Sequence, residues 1–499
     1  MSDARRRPAD AGRVPPGPTF LGLDLGTSGL KALLVDGAER VIGSRTVPLT
    51  VERPRPGWSE QDPETWWRAA LAAVDALAAE HPAAVAAVAG IGLSGQMHGL
   101  VLLDRADRVL RPCILWNDTR ASAECRLLEE AFPDLRRVCG NRAMPGFTAP
   151  KLLWVRAHES ETFAATARVL LPKAWLRLKL TGEAVEEMSD ASGTLWLDVG
   201  ARAWSPGVLA ATGLGLDAMP RLVEGTAPAG RLRPDLVRRW GMSRPPLFAG
   251  GAGDNAAGAV GLGAIRPGDA FVSLGTSGVV FAVTDRVRPF PERAVHAFCH
   301  ALPGLWHQMG VTLSAAASLA WWAGIAGRGE AELIAEAETV RSGGVTFLPY
   351  LSGERTPHDD GALRGAFTGL AAGTDRGAMT HAVLEGVAYS LRDCLDAIEA
   401  SGTTVAEADV IGGGSRSRLW VEILAAALDR PLHRVAEGEH GAAFGAARLG
   451  RLAATGEEPA SLPRPPRLEM VEPDRVLREL CAEGLAHYRR LRAAANPAP

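Results

Sequence analysis

The sequence predicts an α/β protein made of two similar domains, and three observations support this. The chain has 499 residues, 47% of them apolar, which is too long for one core because single cores stop growing near ~250–300 residues. Segments with strand periodicity and segments with helix periodicity alternate along it. The string Leu-Gly-Thr-Ser-Gly occurs twice, at 25–29 and at 274–278. We therefore expect an internal duplication.

The two copies of this string begin 249 residues apart, at 25 and at 274. Each lies between two apolar runs, 20–25 and 30–35 for the first copy, 270–272 and 279–283 for the second, which predicts a strand–turn–strand hairpin. The residue before the first copy is Asp24, whereas Ser273 precedes the second. Only one half therefore carries a carboxylate here, as expected if an active site between the halves holds a metal on one side.

Periodicity and turn residues predict the remaining elements. The predicted helices are 65–79, 380–398 and 420–428, and the apolar segment 310–322 becomes helical at its Ser- and Ala-rich part. The predicted strands are 85–93, 100–103, 346–351 and 410–411, and the last of these runs into the Gly-rich turn 412–415.

Charge and composition exclude several classes of protein. The net charge of −3 gives no basic surface for nucleic acid. No run of ~18 apolar residues predicts a membrane span. The Arg-rich segment 1–18 is not followed by the apolar part of a signal peptide, so we expect a disordered tail. The six cysteines form no CxxC pair and are expected to be reduced thiols of a cytoplasmic protein.

Phosphate-binding motifs of the common kinds are absent from the sequence. The chain has four lysines, and none is followed by Ser or Thr, which excludes a Walker A loop. The protein-kinase strings are missing too. Three Gly-rich turns remain, at 26–29, 275–278 and 412–414, and successive backbone N–H groups in such turns bind anions. A single Gly turn is usually a plain hairpin, but together these turns predict phosphate binding.

Asp254 is the candidate general base. It follows the Gly-rich segment Gly250-Gly251-Ala252-Gly253. Residues 251–256 also match the GxGxxA pattern of dinucleotide-binding proteins, and Asp269 lies at a suitable distance for the acidic residue of that motif. A dinucleotide-binding fold therefore stays an alternative. A carboxylate inside such a turn would repel a pyrophosphate, whereas it suits proton removal from a substrate hydroxyl. A helix N-cap is the structural alternative for Asp254.

Two places in the sequence have histidines that could contact a ligand. His98 follows a predicted buried strand and lies between Gly95 and Gly99; a structural role competes with a polar contact to substrate. His296, Cys299 and His300 have a spacing that suits a metal, but no fourth ligand accompanies them, so packing is the favoured interpretation.

At these residues the sequence resembles the FGGY carbohydrate kinases, over about 19–490. The matching strings are 23–28 (LDLGTS), 94–99 (SGQMHG), 115–120 (LWNDTR), 148–154 (TAPKLLW), 253–257 (GDNAA), 273–277 (SLGTS) and 412–417 (GGGSRS). Met97-His98-Gly99 is similar to the members that act on xylulose rather than on glycerol, gluconate or ribulose. The chain departs from the family signatures at Ala157 and Ala378, where polar residues are usual.

The resemblance implies two actin-like, ribonuclease-H-like domains with a cleft between them: a sugar-binding domain at 19–264, an ATP-binding domain at 265–491 and a flexible tail at 492–499. It implies a small sugar, ATP and Mg²⁺ as ligands, no membrane or nucleic-acid partner, and a possible homodimer. By this resemblance Asp254 is the general base, and Asp24 takes part in catalysis and holds Mg²⁺. The residues that contact the sugar are Met97, His98, Gly99 and Asn255. Those near the phosphates are Thr27, Ser28, Gly275 and Thr276, and those along the adenosine are Gly413, Gly414 and Ser417.

Three alternatives to a xylulose-phosphorylating enzyme stay open at this point. The first is a kinase for another pentulose or polyol. The second is a non-catalytic actin-like protein that binds ATP or sugar, although the presence of both Asp24 and Asp254 argues against it. The third is an oxidoreductase that uses the glycine string 251–256.

Overall fold

A computed structural model describes residues 17–436 and 441–495. Most of the predicted N-terminal tail, 1–16, and the last four residues of the predicted C-terminal tail lie outside the described residues. The last helix continues to Ala495, into the segment expected to be a tail. None of the helices in the described ranges is both long enough and apolar enough to cross a membrane.

The N-terminal half contains one large sheet, several short strand pairs and the helices around them. Its strands are β1 (Thr19–Leu25), β2 (Gly29–Asp36), β3 (Val41–Pro48), β4 (Glu60–Gln61), β5 (Val88–Gly95), β6 (Val101–Leu103), β7 (Cys113–Ile114), β8 (Arg168–Leu170), β9 (Val185–Glu187), β10 (Leu197–Asp198), β11 (Ala203–Trp204), β12 (Arg221–Val223), β13 (Pro228–Arg231), β14 (Leu247–Ala249) and β15 (Ala252–Gly253). Its helices are α1 (Pro63–Glu80), α2 (Pro82–Ala86), α3 (Ser122–Ala131), α4 (Leu135–Cys139), α5 (Thr148–His158), α6 (Ser160–Ala165), α7 (Pro172–Thr181), α8 (Met188–Ser192), α9 (Pro206–Thr212), α10 (Pro234–Arg239) and α11 (Asp254–Leu262).

The C-terminal half repeats this plan with fewer insertions. Its strands are β16 (Ala270–Leu274), β17 (Gly278–Thr284), β18 (His296–Cys299), β19 (Trp306–Thr312), β20 (Thr346–Leu348), β21 (Ala366–Thr368), β22 (Ala408–Ile411), β23 (Leu432–Val435) and β24 (Arg467–Val471). Its helices are α12 (Ala316–Ala326), α13 (Glu330–Ala337), α14 (Arg376–Ala400), α15 (Arg418–Leu428), α16 (Ala442–Thr455) and α17 (Arg475–Ala495). Short 3₁₀ turns lie at Leu216–Ala218, Pro291–Arg293, Gly413–Arg416 and Pro459–Ser461.

The two large sheets have the same strand order and the same directions. The first runs β3-β2-β1-β5-β14-β13 and the second runs β19-β17-β16-β22-β23-β24. In both, the successive pairings are antiparallel, antiparallel, parallel, parallel and antiparallel. β18 extends the second sheet beyond β19, and β15 pairs beside β14 on β5. The prediction of a duplicated α/β protein is confirmed.

Local sequence chemistry accounts for most element boundaries. The side chain of Asp62 caps α1 with Pro63 in its first turn, and the side chain of Asp375 caps α14; both are preferred helix starts. The predicted strand 85–93 was wrong at its beginning, because Pro82 starts the short helix α2 and the strand begins only at Val88.

A dinucleotide-binding fold is also wrong for the glycine string 251–256. Asp254 is the first residue of α11 and directly follows the two-residue strand β15. The sheet that carries this segment is mixed, with antiparallel pairs at both of its ends, whereas dinucleotide-binding sheets are mostly parallel.

The halves are joined by a helix of the C-terminal half that lies on the N-terminal sheet. A Cβ atom added to Gly22 of β1 would lie 1.8 Å from the carbonyl oxygen of Ala443, and one added to Gly92 of β5 would lie 1.8 Å from that of Ala446. Only glycine permits such close approach of α16 to β1 and β5. Arg448 of α16, almost fully buried, donates to the carbonyl oxygen of Val260 at 2.9 Å and ties α16 to α11.

Candidate active site

A cavity of about 230 Å³ lies between the two halves. The N-terminal half lines it with Met97, His98, Trp116, Asp254 and Asn255, and the C-terminal half with Ser277, Val279, His296, Phe298, Met309, Val311 and Arg355. A neighbouring cavity of about 480 Å³ shares His98, Trp116, His296 and Arg355 with the first. Apolar walls with a few convergent polar groups are typical of a small-molecule site.

Asp254 is brought to this cavity by the start of α11. Its Oδ1 accepts hydrogen bonds from the backbone N–H and the side-chain Nδ2 of Asn255, at 2.7 Å and 2.9 Å. Burial raises the pKa of Asp254 to about 6, and the charge of Asp24 adds to this effect. A carboxylate with a pKa close to neutrality is suited to accept a proton and release it again.

Asp24 lies near the end of β1, opposite Ser94 of β5. Its Oδ1 is buried and has no hydrogen-bond partner among the described residues. Burial raises the pKa of Asp24, while Ser94 and the charge of Lys31 act in the opposite direction. An unsatisfied carboxylate oxygen next to a second carboxylate, Asp254, fits a divalent cation, since Mg²⁺ takes oxygen ligands and usually few of them from protein.

The ring of His98 has a defined tautomer. Its Nδ1 lies 2.7 Å from the carbonyl oxygen of Gly193, and because a carbonyl only accepts, Nδ1 carries the proton. Burial lowers the pKa of His98 to about 3, so the ring is neutral at physiological pH. Nε2 is then the ring atom that can accept a hydrogen bond from a ligand hydroxyl.

His296, which belongs to the C-terminal half, also has one ring nitrogen held by a hydrogen bond. Its Nδ1 lies 3.0 Å from Oδ1 of Asn141, and the amide of Asn141 is oriented by its two donations, to the carbonyl oxygens of Cys139 and Ala297. Burial lowers the pKa of His296 well below its usual value. The packing role favoured for His296 from sequence is therefore incomplete, because this neutral ring also lines the cavity.

Lys151 fixes the loops that carry the cavity residues. Its buried Nζ donates to the carbonyl oxygens of His98, Ile114 and Leu115, at 2.8, 3.1 and 3.0 Å. Burial lowers the pKa of this ammonium to about 7. One side chain of α5 thus holds both the segment after β5 and the segment that leads to Trp116.

A chain of hydrogen bonds links the cavity wall to the first glycine turn. Nε1 of Trp116 donates to Oγ1 of Thr27 at 3.0 Å, and Oγ1 of Thr27 donates to Oε1 of Gln96 at 2.9 Å. Nε2 of Gln96 in turn donates to Oε1 of Gln61 at 3.0 Å. The indole of Trp116 is 41% exposed, so it is free on its other side to contact a ligand.

The glycine turns have different surroundings. In the first, Ser28 is exposed. In the second, Thr276 is exposed, and the carbonyl oxygens of Gly275 and Thr276 accept N–H groups from the start of α12.

The third turn lies against the second. A Cβ atom added to Gly412 would lie 3.0 Å from the backbone nitrogen of Gly275. Gly413 is exposed, whereas Gly414 is buried against Leu274 and Trp420, and Ser417 caps α15.

The predicted residues thus fall into four groups, of which the first is Asp24 alone, near the end of β1 and outside the lining of the cavity. The cavity brings together Met97, His98, Asp254 and Asn255. Gly99 is not brought to the wall, because it lies behind it against Pro172 and Cys113. The predicted nucleotide residues Thr27, Ser28, Gly275, Thr276, Gly413, Gly414 and Ser417 lie in the three turns, outside the lining of the cavity.

Sequence reasoning missed Trp116, Arg355 and the cavity-facing side of His296. Trp116 stands in the string LWNDTR, which carried the family resemblance without a role for this residue, and Arg355 stands in the predicted loop SGERTP. Polar and aromatic residues concentrated in a loop between predicted elements are the signal that could have identified them.

The triad Glu186, Glu187 and Asp190 behind the cavity resembles a metal site but already has its cation. Nζ of Lys173 lies 2.6 Å from a Glu186 oxygen, 3.3 Å from Glu187 and 3.5 Å from Asp190, and all four side chains are buried. Glu187 also accepts from the hydroxyl of Ser189, which accepts the backbone N–H of Gly253 at 3.0 Å. This cluster therefore supports the residue that precedes Asp254.

Comparison with known proteins gives consistent matches to both halves. The N-terminal domain model of the FGGY family of carbohydrate kinases matches residues 19–261, and the C-terminal domain model matches 270–454. The chain is 49% identical over 442 residues to a xylulose kinase of Escherichia coli strain K12, covering 88% of this chain and 91% of that protein. It is 38% identical to a xylulose kinase of Bacillus subtilis strain 168, covering 86% and 87%. A crystal structure described as a xyloylose kinase from Brucella ovis superposes with a TM-score of 0.93 at 53% identity, covering 95% and 99%.

Proposed function

This chain belongs to the FGGY family of carbohydrate kinases, and from that premise we propose that it transfers the γ-phosphoryl group of ATP to D-xylulose, giving D-xylulose 5-phosphate and ADP. The observation that carries the proposal is Asp254, a carboxylate with a pKa raised to about 6 at a cavity lined from both halves. The xylulose kinases of Escherichia coli and Bacillus subtilis, to which the chain is similar, support the choice of sugar.

The sugar binds in the cavity between the halves. The neutral rings of His98 and His296 accept hydrogen bonds from its hydroxyl groups, and Asn255 adjoins the reacting end because it is bonded to Asp254. The sulfur-bearing side chain of Met97 packs against the carbon skeleton. A single orientation of the sugar places one terminal hydroxyl, on C5, beside Asp254.

Asp254 accepts the proton of this hydroxyl as its oxygen bonds to the γ-phosphorus of ATP. The bond between the γ-phosphorus and the bridging oxygen breaks, and ADP leaves with that oxygen. Positioning and charge stabilisation supply most of the rate in such transfers, and help from a general base contributes typically ~10²–10⁴-fold.

Asp24 is the residue that would hold Mg²⁺, because its Oδ1 is buried without a hydrogen-bond partner among the described residues. When bound, this ion neutralises the charge that develops on the transferred phosphoryl group. The hydroxyl groups of Thr27, Ser28, Thr276 and Ser277 and the backbone of Gly275 contact the phosphates. Gly413, Gly414 and Ser417 form the adenosine side of the nucleotide site.

The test is ATP turnover against D-xylulose, D-ribulose, L-xylulose and glycerol, measured as ADP release with product identification by NMR. We expect D-xylulose to give the highest kcat/KM and the product to carry phosphate on O5. A higher kcat/KM for glycerol or D-ribulose would replace xylulose by that substrate. Absence of ADP release with every sugar, together with binding of ATP and sugar, would favour the non-catalytic alternative.

Two further properties remain part of this proposal. A homodimer and a cytoplasmic location are expected from the family resemblance and from the six cysteines, which are all free thiols. Analytical ultracentrifugation of the purified chain and fractionation of the cells that contain it measure these two properties directly.

A further inference from the structure

Arg355 places a strong cation in the wall of the cavity. Arg355 lines both cavities, yet across the described ranges its guanidinium makes neither a hydrogen bond nor an ion pair. Burial lowers the pKa of Arg355, but a guanidinium stays charged at any physiological pH. Arg355 is half-buried, and withdrawing a charge from water without a partner is costly, which indicates that a ligand completes this group.

The two carboxylates nearest to Arg355 are already engaged elsewhere. Glu354 accepts hydrogen bonds from the hydroxyl of Thr312 at 2.5 Å and from the backbone N–H of Leu313 at 2.9 Å. Asp359 pairs with Arg142 of the N-terminal half at 2.9 Å. Among the described residues neither carboxylate bonds to the guanidinium of Arg355, which leaves its donors available to a ligand.

The backbone around Arg355 is rigidly held, so the side chain is presented from a fixed point. The N–H of Arg355 donates to Oε1 of Glu354 at 2.8 Å. The next residue, Thr356, donates its N–H to the carbonyl oxygen of Val311 in β19 and its hydroxyl to that of Ala294. A fixed support of this kind is what a recognition residue requires.

Arg355 lies at the end of the cavity away from the reacting group. It shares the boundary between the two cavities with His98, His296 and Trp116, whereas Asp254 lines only the smaller cavity. The charge of Arg355 lowers the pKa of both His98 and His296, but the charge that acts on Asp254 is that of Asp24. A ligand phosphorylated beside Asp254 thus meets Arg355 with its opposite end.

We propose that Arg355 determines the specificity for ketoses by donating two hydrogen bonds to the C1 hydroxyl and C2 carbonyl oxygens of an open-chain 2-ketose. A guanidinium presents donors only, in a fixed fork that matches two neighbouring oxygen acceptors. The imidazoles of His98 and His296 supply acceptors, so they suit the hydroxyl groups and not a carbonyl oxygen. This inference rests on the proposed function, since it concerns the non-reacting end of the same substrate.

The test compares D-xylulose with xylitol and D-arabitol, the two pentitols that differ from it only in having a reduced C2. The variants are Arg355→Met, which removes the charge, and Arg355→Lys, which keeps the charge but not the fork. Arg364→Met is the matched control, because it removes an exposed cation of the same loop that bonds to the backbone carbonyl oxygens of Gly361 and Leu363 and does not line the cavity. kcat/KM is measured for each substrate, with Kd by calorimetry for any pair that does not turn over, and the Tm of each variant is recorded.

We expect Arg355→Met to lower kcat/KM, or raise Kd, for D-xylulose by about 100-fold and for the pentitols by less than about 5-fold. Arg355→Lys should fall between wild type and Arg355→Met, and Arg364→Met should change all three substrates by less than about 3-fold. An equal loss for ketose and pentitols, or no loss at all, overturns the assignment. If the wild type phosphorylates another ketose and not D-xylulose, the proposed choice of sugar is wrong. The same comparison, made with that ketose and the pentitols obtained by reducing it, then decides the role of Arg355.

Discussion

Replacing Asp254 by Asn should make the protein more stable at neutral pH and nearly inactive. The variant keeps the shape of the side chain and an oxygen that can accept from Asn255, as Oδ1 of Asp254 does at 2.7 Å and 2.9 Å. It removes the negative charge that burial and Asp24 disfavour. Activity and stability should therefore change in opposite directions.

The size of the stability change follows from the pKa of Asp254, raised from 3.8 to about 6. A difference of about two pKa units corresponds to ~3 kcal/mol, and partial exposure of the side chain to solvent reduces this to about 1–3 kcal/mol. Because the folded pKa lies above the unfolded value, the contribution of this carboxyl to stability is fully present below pH 4. It is lost as pH rises through about 6.

The assay is the Tm of Asp254→Asn and of wild type between pH 4 and pH 8, combined with ADP release at saturating ATP and sugar. We expect no difference in Tm near pH 4, a growing advantage of the variant through pH 6, and a plateau of about 2–6 °C above pH 7. kcat should fall by about 10²–10⁴-fold.

Asp285 provides the control, because its surroundings lower the pKa of its carboxyl instead of raising it. Hydrogen bonding to Arg286 lowers the pKa of the exposed Asp285 to about 2, so Asp285→Asn should not stabilise the protein at any pH. A variant of Asp254 that is less stable than wild type at pH 7.5, or a difference in Tm that does not change with pH, would refute the reasoning. Retention of near-normal kcat would refute the role as base.

Three other predictions follow from buried contacts. Lys151→Met removes one of the two donors to each of three carbonyl oxygens, so we expect a loss of about 1–3 kcal/mol by chemical denaturation and a higher KM for the sugar. An unchanged KM would contradict the positioning role. Gly22→Ala would place a Cβ atom 1.8 Å from the carbonyl oxygen of Ala443 and should lower Tm by several degrees, whereas Gly258→Ala, with open space around its Cβ, should raise it slightly. In a thiol titration, native protein should react at most at the half-buried Cys125 and denatured protein at all six cysteines; five or more fast-reacting thiols in the native state would contradict the burial.

The duplication could be predicted because both halves keep the same turn sequence between strands. A turn with Gly, Thr and Ser needs little more than local backbone geometry, so its repetition at 25 and 274 is visible without any knowledge of packing. The matching orders of the two sheets follow from that duplication. The start of β5 was predicted less well, since an apolar run after Pro82 suits a strand or a helix, and only tertiary packing decides.

Two candidate site residues could be selected from the sequence because one residue type carries their chemistry. Asp24 and Asp254 stand out since a carboxylate is unusual inside a glycine-rich turn. His296 and Arg355 could not be assigned in the same way, because their role depends on which direction a strand and a loop of the second half face. The tautomers of His98 and His296 are set by Gly193 and Asn141, and a contact between residues that far apart in the chain leaves no trace in local sequence.

The close contact of α16 with the N-terminal sheet has a consequence for any attempt to express the two halves as separate fragments. A fragment that ends near 265 would lack α16, and the faces of Gly22 and Gly92 that normally meet backbone atoms of Ala443 and Ala446 would be left bare. A fragment that begins there would carry α16 without the surface on which it rests. During synthesis on the ribosome, the N-terminal sheet is covered only after α16 has been made, about 180 residues beyond the end of α11.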